Sequence, residues 1–279
     1  MKLIRFGKYR EEKPGILDQN GTRRDCSNYF DDWNSDFFNN QGIEKLREIN
    51  LSKLPHVNEN ERWGSCVARP GKVVCVGLNF TDHANEVNLP IPNEPVIFLK
   101  ASNSIVGPYD NVKIPKSGEK TDWEIELAFV INRNCADLNS EFEAEKYIAG
   151  YTIFNDVTER SFQFDHGGQW TKGKSCDTFG PTGPYLATKE EITNINPLNM
   201  TLTVNGNLMQ KSSTENMIFS PAFITCYLSR FMTLEAGDIV STGTPHGIGA
   251  GMNPQKFLSP GDVMKLEIDG LGKQKQICI

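Results

Sequence analysis

Two glutamates two residues apart open an apolar segment, and their spacing is the first sign of chemistry in this sequence. Glu124 and Glu126 lie in residues 122–131, a run typical of a β-strand that enters the protein core. Side chains two positions apart on a strand point the same way, about 6.6–6.8 Å apart. Two like charges at a partly buried position repel each other and lose hydration, and a hard divalent cation with oxygen ligands removes both costs. The pair therefore indicates a metal site, with solvated glutamates at a strand end as the alternative.

A third acid strengthens the metal interpretation. Residues 149–156 form an apolar run that ends in Asp156. If the two runs are neighbouring strands, Asp156 lies beside Glu124 and Glu126. Three carboxylates plus water suit Mg²⁺ or Mn²⁺, which keep coordination positions open for a substrate. The order of strands in the sheet cannot be read from one sequence, so this proximity is an expectation.

A histidine and a glutamate form a second candidate pair. Residues 81–86 follow a strongly β-forming run, and Thr81 or Asp82 can cap a short helix there. His83 and Glu86 then stand three residues apart on one helix face. A carboxylate beside an imidazole fixes its tautomer and raises its basicity, so the other ring nitrogen can take a proton from water. The alternative is a surface pair at a helix end.

Two loops supply further polar groups. Residues 169–181 are glycine-rich and basic, and they lack the spacing of a phosphate-binding loop. Lys174 in this loop can stabilise an enolate or oxyanion if it lies near the acids, and is otherwise a solvated lysine. Residues 241–245 end a predicted strand with small hydrogen-bond donors, which either bind a carboxylate or only turn the chain.

Short strands separated by turns must position these groups. The clearest predicted strands are residues 3–6, 72–78, 96–100, 123–131, 151–155, 200–204, 238–241 and 263–268. Helical patterns are fewer and cover residues 44–49, 81–86 and 221–231. Strands with few helices predict an α+β fold. A break near residue 70 predicts a small N-terminal domain over residues 1–70, which contains β-structure, and a larger domain over 71–279.

Composition excludes several classes of protein. The 279 residues include 35 acids and 29 bases, a net charge of −6, which argues against a nucleic-acid-binding protein. No apolar run approaches the ~18–20 residues of a membrane span. The seven cysteines include no Cys-x-x-Cys pair, which argues against a structural zinc site. The first residues do not resemble a signal peptide, so we expect reduced thiols and a cytoplasmic protein.

Taken together, the segments resemble the fumarylacetoacetate hydrolase family. The resemblance covers about residues 70–279, and its motifs occur in the family's order. The matching segments are 77–80 with His83 and Glu86, 122–127, 155–160 with Gln163, 169–174, 177–181, and 241–245. Each segment alone is weak, but the combination is specific. The sequence is most similar to bacterial 2,4-diketo-3-deoxy-sugar-acid hydrolases and to proteins named ureidoglycolate lyase.

The resemblance implies a fold and a set of roles. The fold would be a mixed β roll, barrel-like in outline, in a homodimer. Glu124, Glu126 and Asp156 would bind Mg²⁺ or Mn²⁺. His83, oriented by Glu86, would activate water, and Lys174 would contact the substrate. The expected substrate-binding residues are Gln163, Thr178 (near the metal), Gly243 and Thr244.

The resemblance implies a small 2-oxo acid as the substrate. It implies neither nucleic acid nor a membrane as a partner. The first expectation is metal-dependent hydrolysis of a C–C bond in a 2,4-diketo acid of the acylpyruvate type, with a 2,4-diketo-3-deoxy sugar acid as one case. The alternatives are an oxaloacetate-type decarboxylase, a hydroxymuconate-type isomerase or decarboxylase, and a ureidoglycolate lyase. A module that binds 2-oxo acids without catalysis is the alternative outside enzymes.

Overall fold

A large mixed β-sheet forms the centre of the molecule. The structure is a computed structural model that describes residues 1–86 and 90–279. The strands of the described residues are β1 (Lys2–Phe6), β2 (Lys13–Leu17), β3 (Arg23–Asp25), β4 (Trp63–Gly64), β5 (Val73–Gly77), β6 (Val96–Lys100), β7 (Ile105–Val106), β8 (Thr121–Asp122), β9 (Ile125–Ile131), β10 (Ile148–Asn155), β11 (Thr158–Glu159), β12 (Gly180–Thr188), β13 (Asn199–Val204), β14 (Asn207–Ser213), β15 (Ile239–Ser241), β16 (Val263–Ile268) and β17 (Gly272–Ile277).

The main sheet is open and mixed. Its strand order is β3-β2-β1-β12-β10-β9-β15-β5-β6, with β4 added beside β1 and β7 beside β12. Most neighbours are antiparallel, whereas β15 runs parallel to β5, and β7 parallel to β12. The predicted α+β class with a mixed sheet is confirmed, and the described strands of this sheet form an open order, not a closed barrel.

The strands β9 and β10 lie at the middle of this sheet. Every residue of both strands is buried, which confirms that the acidic segment enters the core. The predicted strand over 123–131 is interrupted, because the backbone N–H of Glu124 donates to Asn155 Oδ1 (3.2 Å) instead of to a ladder carbonyl. Glu124 therefore lies in the link between β8 and β9.

A second, four-stranded sheet covers one face of the first. Its order is β14-β13-β16-β17, and a turn at Asn205-Gly206 joins β13 to β14. Met200, Leu202 and Leu266 of this sheet share one hydrophobic core with Leu127 and Phe129 of β9. One face of β9 is therefore packed against the second sheet.

The N-terminal segment adds strands to the same main sheet. Lys2 and Leu3 of β1 pair with Ala187 and Leu186 of β12. The fully buried Trp33 donates its indole N–H to the carbonyl oxygen of Ile4 (2.7 Å). Residues 1–70 thus share a sheet with the remainder, and their status as a separate domain stays a prediction.

Helices are short, and the longest described one has eight residues. They are α1 (Ser35–Asn39), α2 (Gly42–Arg47), α3 (Thr81–Glu86), α4 (Glu141–Ala144), α5 (Arg160–Phe164), α6 (Thr171–Lys174) and α7 (Pro221–Leu228), with 3₁₀ turns at Leu51–Lys53, Ser102–Ser104, Glu145–Tyr147, Thr214–Asn216 and Gly249–Gly251. The predicted helix over 221–231 is shorter in the structure, because Arg230 and Phe231 donate to carbonyls three residues back, in a tightened last turn. Among the helices described, none is long and apolar enough to cross a membrane.

Candidate active site

A cavity of about 400 Å³ opens beside the start of β9. Its deep end is polar, with Glu124 and Lys174 only 4% and 2% exposed. Its walls also include the aromatic side chains of Phe98, Phe164 and Trp170. A cavity of this size with a few convergent polar groups fits a small organic ligand.

Sheet topology brings the three predicted acids together. Antiparallel pairing of β9 with β10 sets Glu126 opposite Phe154, and the backbone N–H of Asp156 donates to the carbonyl oxygen of Glu124 (2.9 Å). As a result, one carboxylate oxygen from each of Glu124, Glu126 and Asp156 lies within 4.8 Å of the others. The predicted proximity of Asp156 to the two glutamates is therefore present in the structure.

Buried cations balance two of these acids. Lys174 Nζ lies 2.6 Å from both Glu124 Oε2 and Asp156 Oδ2, and Lys100 Nζ lies 2.5 Å from Asp156 Oδ1. Arg160 donates to Glu124 Oε1 (2.5 Å) and to Asp122 Oδ2 (2.9 Å). Burial opposes ionisation of Glu124, but Lys174 and Arg160 outweigh it and lower the pKa of this carboxyl to about 2. Glu124 is therefore a carboxylate at neutral pH.

Glu126 has a different environment. Its Oε2 accepts hydrogen bonds from Ser241 Oγ and from the backbone N–H of Gly243 (3.0 Å). No ion pair with a lysine or arginine reaches Glu126 among the described residues. Burial, and then the negative charges of Asp156 and Glu124, raise the pKa of Glu126 well above its usual value. Glu124, Glu126 and Asp156 together offer three buried carboxylates, and Glu126 has no cation paired with it in the described part of the chain. Three such oxygen ligands fit a hard divalent ion.

The predicted His83–Glu86 pair is present on α3. His83 Nδ1 lies 3.0 Å from Glu86 Oε2, and Glu86 Oε1 accepts a hydrogen bond from the backbone N–H of Gly247 (2.8 Å). The carboxylate at Nδ1 favours a proton on that nitrogen, which leaves Nε2 as the acceptor. His83 is buried and lines the same cavity as Glu124 and Glu126. The histidine and the two glutamates thus face one cavity.

Two of the four predicted substrate-side residues also lie at this cavity. Gln163 and Thr244 line it, and Gln163 Oε1 accepts a hydrogen bond from Arg160 (3.1 Å). Gly243 has φ +95°, and a Cβ there would lie 2.8 Å from the carbonyl oxygen of Val76, so this position requires glycine.

The structure does not bring Thr178 to the other predicted residues. Thr178 lines a separate cavity, where its hydroxyl accepts a hydrogen bond from the backbone N–H of Lys113 (2.8 Å). Its φ of 69° is left-handed, in the turn that leads into β12. Thr178 therefore lies at a different cavity from Glu124 and Glu126, and not at the expected position near the metal.

Sequence reasoning missed four residues that hold the acids in place. These residues are Lys100, Asp122, Arg160 and Gln210. Arg160 lies in a segment that carried the family resemblance, so its proximity to Asp156 in sequence was a usable signal. Lys100 and Gln210 carry no local signal, because each reaches the site from a strand distant in sequence.

Gln210 holds the peptide between the two glutamates. Its Oε1 accepts from the N–H of Ile125 (3.0 Å), and its Nε2 donates to Thr244 Oγ1 (2.8 Å), which itself donates to the carbonyl oxygen of Ile125 (3.0 Å). Gln210→Leu leaves these buried groups unpaired, at a cost of about 1–3 kcal/mol each. We therefore expect a lower free energy of unfolding in urea. Gln255→Leu is the control, because Gln255 is exposed and should change stability by less than about 0.5 kcal/mol; equal losses would contradict the assignment.

Comparisons with known proteins agree with this geometry. A family model described as fumarylacetoacetate (FAA) hydrolase C-terminal matches residues 72–277. A protein of Burkholderia ambifaria with a provisional hydrolase name is 47% identical over 277 residues, covering 99% of this chain and 98% of its own length. The structure is similar to fumarylacetoacetate hydrolase from psychrophilic Exiguobacterium antarcticum (TM-score 0.89, 34% identity, 100% of this chain and 99% of that one). It is also similar to 2-hydroxyhepta-2,4-diene-1,7-dioate isomerase from Mycobacterium marinum (TM-score 0.79, 31% identity, 100% and 98%).

Proposed function

The chain belongs to the fumarylacetoacetate hydrolase family, whose members are enzymes, and from this premise we propose that it is a metal-dependent hydrolase of 2,4-diketo acids. The proposed reaction breaks the C–C bond of an acylpyruvate-type acid and yields pyruvate and a carboxylic acid. The observation that carries the proposal is a cavity lined by His83, Glu124 and Glu126, with Asp156 in the same cluster of carboxylates and Glu86 beside His83. A 2,4-diketo-3-deoxy sugar acid is one substrate of this class.

The three carboxylates are the proposed ligands of Mg²⁺ or Mn²⁺. Glu124, Glu126 and Asp156 each offer an oxygen, the donor type that both ions prefer. When bound, such an ion supplies Lewis acidity toward the oxygens of a 2-oxo acid. Gly243 and Ser241 fix the orientation of Glu126 through the hydrogen bonds to its Oε2.

His83 is the proposed general base. Its Nε2 takes a proton from water as the water oxygen forms a bond to the 4-oxo carbon of the substrate. The bond between carbons 3 and 4 then breaks, and its electron pair stays on the three-carbon fragment. His83 returns the proton to carbon 3, which completes pyruvate and leaves the acyl part as a carboxylic acid. Glu86 stabilises the charged imidazole during these steps, since its carboxylate faces Nδ1.

Lys174 is proposed to stabilise the negative charge of the leaving fragment. Burial disfavours its ammonium form, but Asp156 and Glu124 outweigh burial and raise the pKa of Lys174. The group therefore carries its charge throughout the neutral pH range. A buried, preorganised cation at the deep end of a cavity is an effective partner for developing negative charge.

The alternative reactions share the same deep site. A decarboxylase or a hydroxymuconate-type isomerase needs the stabilised enolate without an attacking water, and the similarity to an isomerase keeps that reaction as the second candidate. A ureidoglycolate lyase and a non-catalytic 2-oxo-acid-binding module are the remaining alternatives. The His83–Glu86 pair favours hydrolysis, because it places a base beside the acids.

A turnover panel tests the proposal. The protein would be assayed with Mg²⁺ on an acylpyruvate, oxaloacetate, a 2,4-diketo-3-deoxy sugar acid, a hydroxymuconate-type acid and ureidoglycolate, with products identified by mass spectrometry. We expect pyruvate and a carboxylic acid from a diketo acid. Release of CO₂ from oxaloacetate alone would contradict hydrolysis. A rise in melting temperature with Mg²⁺ and oxalate, without turnover of any compound, would indicate a binding module.

Two further expectations from the sequence stay predictions. The cytoplasmic location agrees with seven cysteines that are all free thiols in the structure. The homodimer is the family's expected assembly, and size-exclusion chromatography with light scattering would test it.

A further inference from the structure

The helix that carries His83 is too short to fix its own orientation. α3 has six residues, of which His83 and Ala84 are buried. An isolated helix shorter than about 12–15 residues is marginal in water, so α3 depends on its contacts with the rest of the protein. The position of the proposed base is therefore set by the bonds that hold α3 in place.

Asp82 joins α3 to three other segments of the chain. Its Oδ2 accepts hydrogen bonds from Ser212 Oγ and from Asn216 Nδ2 (3.3 Å), and it lies 2.9 Å from His246 Nδ1. Ser212 belongs to β14, Asn216 to the 3₁₀ turn that follows, and His246 to the loop after β15. Asn216 Nδ2 also donates to Ser212 Oγ (3.0 Å), so the partners of Asp82 are bonded to one another.

Glu86 holds the other end of the helix to the same loop. Its Oε1 accepts a hydrogen bond from the backbone N–H of Gly247 (2.8 Å), while its Oε2 faces His83 Nδ1 (3.0 Å). Asp82 and Glu86 stand four residues apart and share one side of the helix. Their partners in the loop, His246 and Gly247, are consecutive residues. α3 is thus bound at both ends to residues 246–247, and His83 lies between the two points of attachment.

The contacts of Asp82 use one of its two oxygens. Oδ1 is buried and accepts no hydrogen bond among the described residues, whereas Oδ2 takes part in all three contacts. Only 21% of the side chain is exposed. An aspartate in the first turn of a helix also interacts favourably with the helix dipole through its charge. A neutral side chain with one oxygen at the position of Oδ2 therefore separates the hydrogen bonds of Asp82 from its charge.

We propose that Asp82 is a positioning residue for the reaction, because it binds α3 to Ser212, Asn216 and His246 and thereby keeps His83 in its place at the cavity. This inference rests on the proposed function, in which His83 is the base. Asp82 itself lies outside the described lining of the cavity, so it acts through His83. A displacement of about 1 Å in a catalytic group can cost about 100-fold in rate, and a helix that leaves its position for part of the time should cost about 10-fold.

The first test compares two replacements of Asp82 in the Mg²⁺-loaded enzyme with a 2,4-diketo acid. Asp82→Ala removes all three contacts and should lower kcat about 10-fold, with KM and the calorimetric affinity for Mn²⁺ within about 2-fold of wild type. Asp82→Asn keeps an oxygen that accepts from the same donors and should keep kcat within about 3-fold of wild type. Equal losses in the two variants would overturn the role, because the charge and not the hydrogen bonds would then matter.

A matched control removes the same kind of residue elsewhere. Asp36 is an exposed first-turn aspartate of α1, a helix of five residues outside the cavity. Asp36→Ala should keep kcat within about 2-fold of wild type. A loss equal to that of Asp82→Ala would overturn a specific role for Asp82.

The second test asks whether Asp82 acts through His83. Asp82→Ala combined with His83→Ala should have the same kcat as His83→Ala within about 2-fold, because a base that is absent cannot be displaced. A further loss of about 10-fold in the double variant would overturn the role, since it would reveal an effect on another part of the site.

Amide hydrogen exchange gives a readout that does not depend on activity. In Asp82→Ala, the amides of residues 84–86 should exchange about 5-fold faster or more than in wild type, while those of β9 stay unchanged and show that the fold is retained. Unchanged exchange in α3, or faster exchange with unchanged kcat, would overturn the role of Asp82, while hydrolysis by the wild-type protein would still support the proposed function. A wild-type protein that hydrolyses no 2,4-diketo acid would overturn both.

Discussion

Replacing His83 with alanine is expected to lower kcat for a 2,4-diketo acid by about 100-fold or more, while binding of Mg²⁺ and oxalate is retained. The loss follows from the role of general base, which contributes typically about 10²–10⁴-fold. Binding is retained because His83 contacts Glu86 and not the three acids. Steady-state kinetics give kcat, and calorimetry gives the affinity for Mg²⁺ and oxalate.

Control variants separate this effect from a general loss of structure. His56→Ala removes an exposed histidine that lies outside the cavity, and its kcat should stay within about 2-fold of wild type. Glu86→Gln keeps a side chain of the same shape beside His83 and should lower kcat less than His83→Ala does. If His83→Ala retains hydrolysis, the base is a different group and the proposed mechanism is wrong.

Replacing Glu126 with glutamine is expected to have opposite consequences with and without metal. In the metal-free protein, the variant should melt at the same temperature as wild type or higher, because it removes a buried carboxylate that has no cationic partner. The glutamine oxygen can still accept from Ser241 and Gly243. The increase in melting temperature that Mg²⁺ gives the wild-type protein should be lost, because one of the three carboxylate ligands becomes a neutral amide whose oxygen stays with Ser241 and Gly243.

Glu124→Gln should affect the melting temperature of the metal-free protein differently from Glu126→Gln. Glu124 faces Lys174 and Arg160, so its loss leaves two buried cations with less compensation. Breaking a buried ion pair in this way is destabilising by about 3–5 kcal/mol. Glu124→Gln should therefore melt at a lower temperature than wild type even in EDTA, unlike Glu126→Gln. Equal melting temperatures for the two variants would contradict the charge distribution described for the site.

The segment with Glu124 and Glu126 shows which structural features the sequence alone predicts. The alternation of Glu124 and Glu126 with apolar residues predicted a buried strand with two carboxylates on one side, and the strand is buried. The position of Asp156 beside them could not be read from the sequence, because it depends on the pairing of β9 with β10 and on the hydrogen bond from the N–H of Glu124 to Asn155. Such a bond joins residues that are distant in sequence, and no local pattern encodes it.

The partners of the acids also include some contacts that the sequence predicts and others that it does not. His83 and Glu86 stand three residues apart, so their contact was predictable from helix geometry. Lys100 reaches Asp156 because residues 96–100 form a strand that pairs with residues 73–77, and this pairing is a property of the sheet. Thr178 was expected near the metal from its motif, yet it lines a different cavity. Local spacing thus predicts local pairs, whereas contacts between strands require the fold.

Calorimetric titration of Mn²⁺ into the metal-free protein tests the central claim most directly, because the whole account depends on Glu124, Glu126 and Asp156 binding one divalent ion. We predict one Mn²⁺ per chain for the wild-type protein and no measurable binding for Glu126→Gln, which keeps its fold. As a control, Lys116→Met changes an exposed residue outside the cavity and should bind Mn²⁺ like the wild-type protein. Absence of Mn²⁺ and Mg²⁺ binding by the wild-type protein, or unchanged binding by Glu126→Gln, would contradict the account.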